Sequence, residues 1–186
     1  MSFAVGLTMR ALLIILLLCG IVSPDRRYRF TNIKCNVLDK SYVSFAQCKL
    51  KVIGRGIIAL TIDAKLLTGP FNNAKVNLSL WKKYSEFRPF IFNSSLDFCK
   101  AMACTNSTLT FHRIIYRAFL KYSNINQTCP YDKELYVRDW VLKEEQLKYL
   151  PLPTGEYQIR LRAYTDNECK ATVYVNFSVK EDLMQS

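Results

Sequence analysis

The stretch EYQIRLRAYTDNECKATVYVNFSV, residues 156–179, decides the fold class of this protein. Apolar and polar residues alternate along both of its halves, which is typical of strands with one buried face. Thr165 to Glu168 supplies turn-forming residues between the halves. The stretch therefore predicts an antiparallel hairpin. The predicted inward positions are Tyr157, Ile159, Leu161, Ala163, Val173, Val175, Phe177 and Val179.

The same alternation recurs through most of the remaining chain. It is found in FTNIKCNVL (30–38), SFAQCKLKV (44–52), IIALTIDAKLL (57–67), VNLSLW (76–81), RPFIF (88–92) and ELYVRDWVL (134–142). About seven or eight short strands separated by turns predict an all-β protein, an immunoglobulin-like antiparallel β-sandwich. The Cys-Trp-Cys spacing of true immunoglobulin domains is not present.

The first two of these stretches predict a hairpin that turns at residues 39–41. In that register Cys35 lies opposite Cys48, so the two cysteines can form a disulfide without any backbone rearrangement. The six cysteines that follow residue 23 allow fifteen pairings by number alone.

Residues 95–122 change period and predict a short helical insertion. Ser94 lies three residues before Asp97, the spacing of a capping box, and residues 108–122 repeat apolar side chains at helical spacing. A Cys99–Cys129 disulfide would clamp the two ends of this insertion over an open end of the sandwich. Cys104 and Cys169 remain as a third pair by elimination.

The N-terminus and five sequons predict export. The apolar run ALLIILLLCGIV (11–22) is too short for a typical membrane span and ends in small or turn-forming residues. We expect a cleaved signal peptide over 1–23 and one domain over 24–186, secreted to the extracellular space. The alternative is an uncleaved signal anchor. The predicted N-glycosylation sites are Asn77, Asn93, Asn106, Asn126 and Asn176.

The formal net charge of +11 does not indicate a nucleic-acid partner. Basic residues are scattered through the strands and do not form one stripe. The densest run, Arg26-Arg27-Tyr28-Arg29, is interpreted as a solvated arm, with contact to acidic glycan or anionic lipid as the alternative. No stable membrane span is expected in the mature chain.

Catalytic and metal-binding patterns are weak. His112 is the only histidine and is expected at the surface, on the polar side of its helix. Asp97, Asp139 and Glu156 lie near turns and strand ends, where a helix cap, a strand residue and a turn residue are ordinary roles. The cysteines suit disulfides better than a metal site. We therefore expect no enzyme activity, no cofactor and no metal.

The inward faces of the predicted strands and the apolar side of the insertion define a candidate ligand pocket. A generously packed core is the alternative explanation for the high aromatic content of 13%. The candidate lining residues are Ile58, Leu60, Ile62, Leu78, Leu80, Phe90, Phe92, Phe111, Ile115, Phe119, Tyr157, Ile159, Leu161, Val175 and Phe177.

Five stretches together resemble a large family of secreted insect proteins built on a domain of unknown function. They are FTNIKCNVLDKSYVSFAQCKLKV, KLLTGPFNNAKVNLSLWKK, RPFIFNSSLDFC, YSNINQTCPY and LPLPTGEYQIRL. That family resembles the lipid-recognition (ML) superfamily of immunoglobulin-like sandwiches, which hold a sterol or acyl chain between splayed sheets. Cys35, Cys48, Cys99 and Cys129 stand where the insect family usually has cysteine, whereas Cys104 and Cys169 depart from it.

The resemblance implies a secreted glycoprotein that binds a long-chain lipid or hydrocarbon between its sheets. Some insect relatives are linked to the detection of pheromones by contact chemosensation, so a carrier or co-receptor with a cell-surface receptor as partner is expected. The alternative is an extracellular protein-interaction module with a solid core, which acts on a receptor or acidic glycan through its basic surface.

Overall fold

The computed structural model describes residues 26–71, 73–103, 111–125, 129–150 and 152–181. The predicted signal peptide, Cys104, Asn106 and Asn126 lie outside the described residues. Eight strands occur within the described ranges: β1 (Arg26–Val37), β2 (Val43–Gly54), β3 (Ile57–Leu66), β4 (Lys75–Lys83), β5 (Phe87–Asp97), β6 (Glu134–Val141), β7 (Gly155–Thr165) and β8 (Glu168–Glu181). The helices are α1 (Phe98–Ala103), α2 (Phe111–Phe119), a 3-10 turn (Leu120–Tyr122) and α3 (Glu144–Leu147).

The strands form two antiparallel sheets that pack as a sandwich. One sheet has five strands in the order β1-β8-β7-β4-β5, and the other has three in the order β2-β3-β6. The predicted all-β sandwich is therefore confirmed. The helical segments α1 and α2 lie between β5 and β6 in the chain.

The hairpin predicted from residues 156–179 is present as β7 and β8. Tyr157 pairs with Phe177, Ile159 with Val175 and Leu161 with Val173, with the turn at Thr165 to Glu168. Because these pairs alternate with polar pairs such as Gln158 and Asn176, one face of the hairpin is apolar. This hairpin forms the centre of the larger sheet.

The hairpin predicted from β1 and β2 is wrong. Cys35 pairs with Val173 of β8, whereas Cys48 pairs with Ile62 of β3, so the two strands belong to different sheets. The turn at Asp39 to Ser41 is a corner at which the chain crosses from one sheet to the other. Alternation along a strand specifies which face is buried, but it does not specify the neighbouring strand.

The basic run at residues 26–29 is not a solvated arm, as the sequence interpretation had it. Arg26 pairs with Glu181 and Tyr28 with Val179, so this run is the first half of β1. The Arg26 guanidinium also donates to the Leu152 carbonyl at 3.0 Å. These contacts give the run a structural role at the edge of the larger sheet.

The helical insertion begins later than residue 95. Ser94 and Ser95 belong to β5, and the predicted Ser94 capping box is absent. Instead, Asp97 Oδ1 accepts a hydrogen bond from the Lys100 backbone N–H at 3.1 Å, which makes Asp97 the N-cap of α1. Residues 104–110 lie outside the described ranges, so the described helical parts are 98–103 and 111–122.

Aromatic side chains close one end of the sandwich. The rings of Phe30 and Trp140, from opposite sheets, lie 5.0 Å apart in an edge-to-face contact. Tyr157 stacks on Phe177 at 5.4 Å, and its hydroxyl donates to the Pro153 carbonyl at 2.6 Å. Such contacts stabilise the pair beyond the area they bury. The two sheets are therefore in direct contact at this end.

Candidate ligand-binding cavity

A cavity of about 760 Å³ lies between the two sheets. Its volume falls in the range of roughly 300 to 1,000 Å³ that small-molecule sites occupy. Strands of both sheets form the walls, and α1 and α2 contribute to the remaining lining. The lining residues are Leu60, Ile62, Val76, Leu78, Leu96, Phe98, Lys100, Ala101, His112, Arg113, Ile115, Tyr116, Phe119, Leu120, Ile125, Leu135, Tyr136, Val137, Trp140, Ile159, Leu161, Val173 and Val175.

The structure brings together a subset of the predicted pocket residues around this cavity. The predicted residues that line it are Leu60, Ile62, Leu78, Ile115, Phe119, Ile159, Leu161 and Val175. They come from β3, β4, α2, β7 and β8, so strand alternation and helical spacing selected residues that surround one space between the sheets.

Other predicted pocket residues lie outside the cavity lining: Ile58, Leu80, Phe90, Phe92, Phe111, Tyr157 and Phe177. Leu80 and Phe177 are 0% and 1% exposed and fill the closed end of the sandwich. They share a face with lining residues, but they lie at the level where the sheets touch. The alternation of apolar and polar residues predicts which face of the sheet a side chain lies on. It does not predict how far along the sandwich that side chain lies.

Two of these residues, Phe90 and Phe92, lie beside an irregularity in β5. The pairing of β4 with β5 shifts between Ser79 and Trp81, and Ile91 has φ 60°. Phe90 packs on Tyr157 at 5.7 Å and Phe92 stacks on Phe111 at 4.9 Å. These contacts with neighbouring rings keep both side chains out of the cavity lining.

Several lining residues were not selected from the sequence. Val76 and Val173 continue the alternation of Leu78 and Val175, so the sequence pattern could have predicted them as lining residues. Leu135 and Val137 of β6 carried the same signal. In contrast, no sequence pattern predicts Ile125 as a lining residue. It follows the helices in an irregular segment, and its position depends on tertiary contacts.

The segment after α2 is attached to β6 by hydrogen bonds. The Asn124 side chain donates to the Glu134 carbonyl at 2.7 Å and accepts from the Tyr136 backbone N–H at 2.8 Å. The Tyr116 hydroxyl donates to the Ile125 carbonyl at 2.7 Å. Burial raises the pKa of Tyr116 above its ordinary value. These bonds position α2 beside the cavity.

His112 does not lie on the outer surface as expected. It is half-buried and lines the cavity, with Nε2 3.3 Å from the Ser94 carbonyl oxygen. The ring centroid of Phe92 lies 6.4 Å from that of His112. The contact with β5 makes His112 part of the packing between α2 and the larger sheet.

Lys100 and Arg113 also line the cavity from the helices. Lys100 Nζ lies 3.5 Å from Asp97 Oδ2. A hydrogen bond from the Lys100 backbone N–H, together with the Lys100 ammonium, lowers the pKa of Asp97. The cavity thus has walls of apolar strands and cationic groups where the helices contribute.

Two of the three predicted disulfides are present. Cys35–Cys48 has a Cα–Cα distance of 6.2 Å and joins β1 of one sheet to β2 of the other. Cys99–Cys129, at 5.5 Å, joins α1 to the segment before β6. Both agree with the predicted pairs, although the first is a bridge between sheets and not across a hairpin.

The predicted Cys104–Cys169 pair is contradicted, because Cys169 has a free thiol. Cys169 pairs with Tyr164 near the β7–β8 turn, and its Sγ lies 3.7 Å from the Ala171 carbonyl oxygen. Cys169 lies on β8, and two strands, β7 and β4, separate β8 from β5, which leads into α1. This pair was predicted only because two cysteines remained after the other four were paired. That argument is weak, because a cysteine can also remain a free thiol.

Three predicted glycosylation sites lie on strands of the larger sheet. Asn77, Asn93 and Asn176 lie on β4, β5 and β8 and are not among the cavity residues. Asn77 Nδ2 donates to Asn93 Oδ1 at 3.0 Å, so two of the sites are direct neighbours. Attached glycans would therefore lie away from the cavity.

The predicted carboxylate candidates are not brought together. Asp97 caps α1, Glu156 pairs with Lys83 at 2.9 Å, and the Asp139 backbone N–H donates to the Thr61 hydroxyl at 3.2 Å. Over the described part of the chain, no group of three metal-ligating side chains occurs. Within the same part, no helix is both long and apolar enough to cross a membrane.

Part of the chain matches a known protein family. Residues 76–159 match the family described as "Protein of unknown function (DUF1091)". The DUF1091 match runs from β4 into β7 and includes α1, α2 and β6. It therefore covers the helical segments and part of both cavity walls. Together with the two disulfides, it is compatible with an extracellular domain.

One curated protein is also similar over part of its length. The cell wall alpha-1,3-glucan synthase mok12 of Schizosaccharomyces pombe is 30% identical over 105 residues, which is 56% of this chain and 4% of the synthase. The chain therefore spans less than two thirds of the length of that protein.

Proposed function

We propose that this protein is a secreted carrier or co-receptor that binds a long-chain apolar ligand between its two sheets. The observation that carries the proposal is the cavity of about 760 Å³, whose strand walls consist mostly of leucine, isoleucine and valine. Water in such a space has few hydrogen-bonding partners, so an apolar ligand would replace it favourably.

The expected binding energy is sufficient for a carrier. Each buried methylene contributes about 0.8 kcal/mol, so a chain of about twelve would contribute about 10 kcal/mol. Association and ordering cost several kcal/mol or more of this amount. A dissociation constant near the micromolar range corresponds to about 8 kcal/mol and is attainable.

A cavity-filling variant tests the proposal. Leu78 lines the cavity and is 6% exposed, so Leu78→Trp would place an indole in the ligand space. We expect at least a tenfold loss of affinity for a fluorescent long-chain probe, measured by titration. Native mass spectrometry of protein from insect cells should show a co-purifying lipid in the wild type and much less in the variant.

Leu67→Trp is the matched control, because Leu67 is 54% exposed and does not line the cavity. It should bind the probe as the wild type does. Unchanged binding by a folded Leu78→Trp variant, or no uptake of any long-chain probe by the wild type, would contradict the proposal.

Secretion, N-glycosylation and a role in contact chemosensation complete the proposal. The apolar N-terminal run, the two disulfides and the five sequons support export, and the resemblance to secreted insect proteins and to the ML superfamily supports delivery of an apolar pheromone to a surface receptor. Expression in insect cells followed by glycopeptide mapping of the medium tests export and site occupancy.

The protein acts by binding and not by catalysis in this proposal. The separated carboxylates and the contact of His112 with the Ser94 carbonyl support that part, since general acid–base chemistry needs its groups to converge on one reacting atom. A Glu156→Gln variant, at a carboxylate that pairs with Lys83 and does not line the cavity, should therefore retain ligand binding and receptor-dependent activity.

A further inference from the structure

The charged groups of the cavity are distributed unevenly. Among the described lining residues, Lys100, His112 and Arg113 are the ionisable groups that carry or can gain positive charge, and none of the lining residues is acidic. All three belong to α1 or α2. The strands contribute apolar side chains together with the tyrosine Tyr136. The lining is thus amphipathic, with a cationic helical side and an apolar strand side.

We propose that the ligand is a long-chain amphiphile with one anionic head group, bound with its head at Lys100 and Arg113 and its tail between the sheets. This inference rests on the proposed function, because it specifies the ligand of the same cavity. A carboxylate and a phosphate monoester share the required chemistry, since both accept charge-assisted hydrogen bonds from lysine and arginine.

The pairing of Lys100 leaves it available to such a head group. Its side chain is 84% exposed, and its separation of 3.5 Å from Asp97 is that of a loose surface ion pair. Exposed pairs of this kind contribute little to stability, so the ammonium can turn towards an incoming anion at little cost. Asp97 keeps its hydrogen bond from the Lys100 backbone N–H in that arrangement.

The surroundings of Arg113 fit the same head group. Tyr116 lies close enough for the Arg113 charge to affect the pKa of its hydroxyl, which donates to the Ile125 carbonyl. Arg113 lines the cavity together with Ile115 and Tyr116, so its charge lies beside apolar side chains, where charges are less screened than in open solvent. An anionic head group would add charge-assisted hydrogen bonds that a purely hydrocarbon ligand cannot make.

The wild-type experiment compares three ligands with the same sixteen-carbon chain: palmitate, hexadecyl phosphate and hexadecanol. Trp140 lines the cavity, so its fluorescence reports binding below the micellar concentration. We expect one or both anions to bind about tenfold more tightly than the alcohol, and this advantage should fall when salt is raised to about 0.5 M. The stronger anion identifies the head group.

A charge-neutralising variant tests whether Lys100 and Arg113 cause the preference for an anionic ligand. Lys100→Gln/Arg113→Gln should weaken binding of the preferred anion about tenfold and leave hexadecanol binding unchanged. Arg117→Gln/Lys121→Gln is the matched control, since it also removes two positive charges from exposed residues of the same region that do not line the cavity. The control should bind all three ligands as the wild type does.

The possible failures are distinguishable. Equal binding of hexadecanol and both anions by the wild type would overturn the head-group inference but leave the carrier proposal standing. An equal loss of anion binding in both double variants would also overturn it, because the effect would then come from net charge. Absence of binding by all three ligands would remove the proposed function as well. The comparison of the three ligands on the wild type tests the head-group inference even where a variant fails to fold.

Discussion

At the scale of single residues, two charged side chains stabilise the strands near the cavity. Asp63 on β3 has a side chain only 7% exposed, and Arg138 Nε on β6 donates to its Oδ1 at 2.9 Å. Arg138 also lies over the Tyr136 ring at 4.0 Å. The interaction with Asp63 raises the pKa of the Arg138 guanidinium. The pair links β3 and β6 where the register shifts at Thr61.

Removing the arginine should be more harmful than neutralising the acid. We expect Arg138→Met to lower the midpoint of urea unfolding, because it leaves a buried carboxylate without its cation. Urea unfolding measures the change. Asp63→Asn should cost less, and the reverse order would contradict this account.

The corner between β1 and β2 contains a carboxylate that responds to acid. Asp39 accepts hydrogen bonds from Ser41 and an ion-paired hydrogen bond from Lys170, and these contacts lower the pKa of Asp39 to about 2 from 3.8. A lowered folded-state pKa stabilises the protein above pH 3.8, and this contribution disappears as pH falls towards 2. The wild type should therefore lose part of its stability in that window.

Asp39→Asn tests the assignment. The variant should melt below the wild type at pH 7, and the difference in Tm should shrink steadily between pH 4 and pH 2, because the wild-type carboxyl becomes protonated there. Thermal unfolding followed by circular dichroism over that range measures it. A Tm difference that stays constant with pH would show that the hydrogen bonds, and not the charge, carry the effect.

At the scale of elements, the two disulfides have different roles. Cys35–Cys48 joins the edge strands β1 and β2, neither of which contributes a lining residue to the cavity. Cys99–Cys129 instead closes the chain around α1 and α2, which contribute much of the lining. One bridge therefore stabilises the sandwich, and the other holds the helical segments beside the cavity.

The two bridges should be separable by experiment. We expect the double alanine variant of either pair to lose about 2 to 4 kcal/mol of stability, since each closes a loop of moderate length. Only Cys99→Ala/Cys129→Ala should also release a bound probe several-fold faster, as measured by stopped-flow displacement. Equal release rates from the two variants would contradict the distinct role of the second bridge.

The two hairpins show which strand pairings could be predicted from the sequence. The β7–β8 hairpin was predicted in full because its turn and both alternating strands are local in sequence. The β1–β2 hairpin was wrong because Asp39 to Ser41 suits a corner between sheets as well as a hairpin turn. The disulfide was nevertheless right, since β1 and β2, at the edges of the two sheets, bring the Cα atoms of Cys35 and Cys48 to 6.2 Å, which is within the range of a disulfide.

At the scale of the whole molecule, the sandwich is closed at one end by packed aromatic rings and encloses a cavity between its sheets. Phe30, Trp140 and Phe177 fill the closed end, and the cavity follows beyond Trp140 and Ile159. Packed sheets normally lie about 10 Å apart, so side chains meet across the gap. Here α2 packs beside the cavity through Ile115 and Phe119, which gives the space a third wall.

Ligand binding should stabilise the whole sandwich, since a ligand in the cavity contacts both sheets. At a free concentration one hundred times the dissociation constant, we expect about 2.7 kcal/mol of added stability. Thermal unfolding with and without the preferred sixteen-carbon ligand measures the shift in Tm. Leu78→Trp should show little shift, whereas an equal shift in that variant would place the ligand elsewhere.

The sequence by itself determined the all-β class, the buried face of most strands and the final hairpin, because alternation and local turns depend on near neighbours in the chain. Only the tertiary structure decided that β1 and β2 lie in different sheets, that Leu80 and Phe177 close the core while Leu78 and Ile159 line a cavity, and that Lys100 and Arg113 lie beside that cavity. These features depend on the distance between two sheets, and that distance is set by the sum of all the contacts across them.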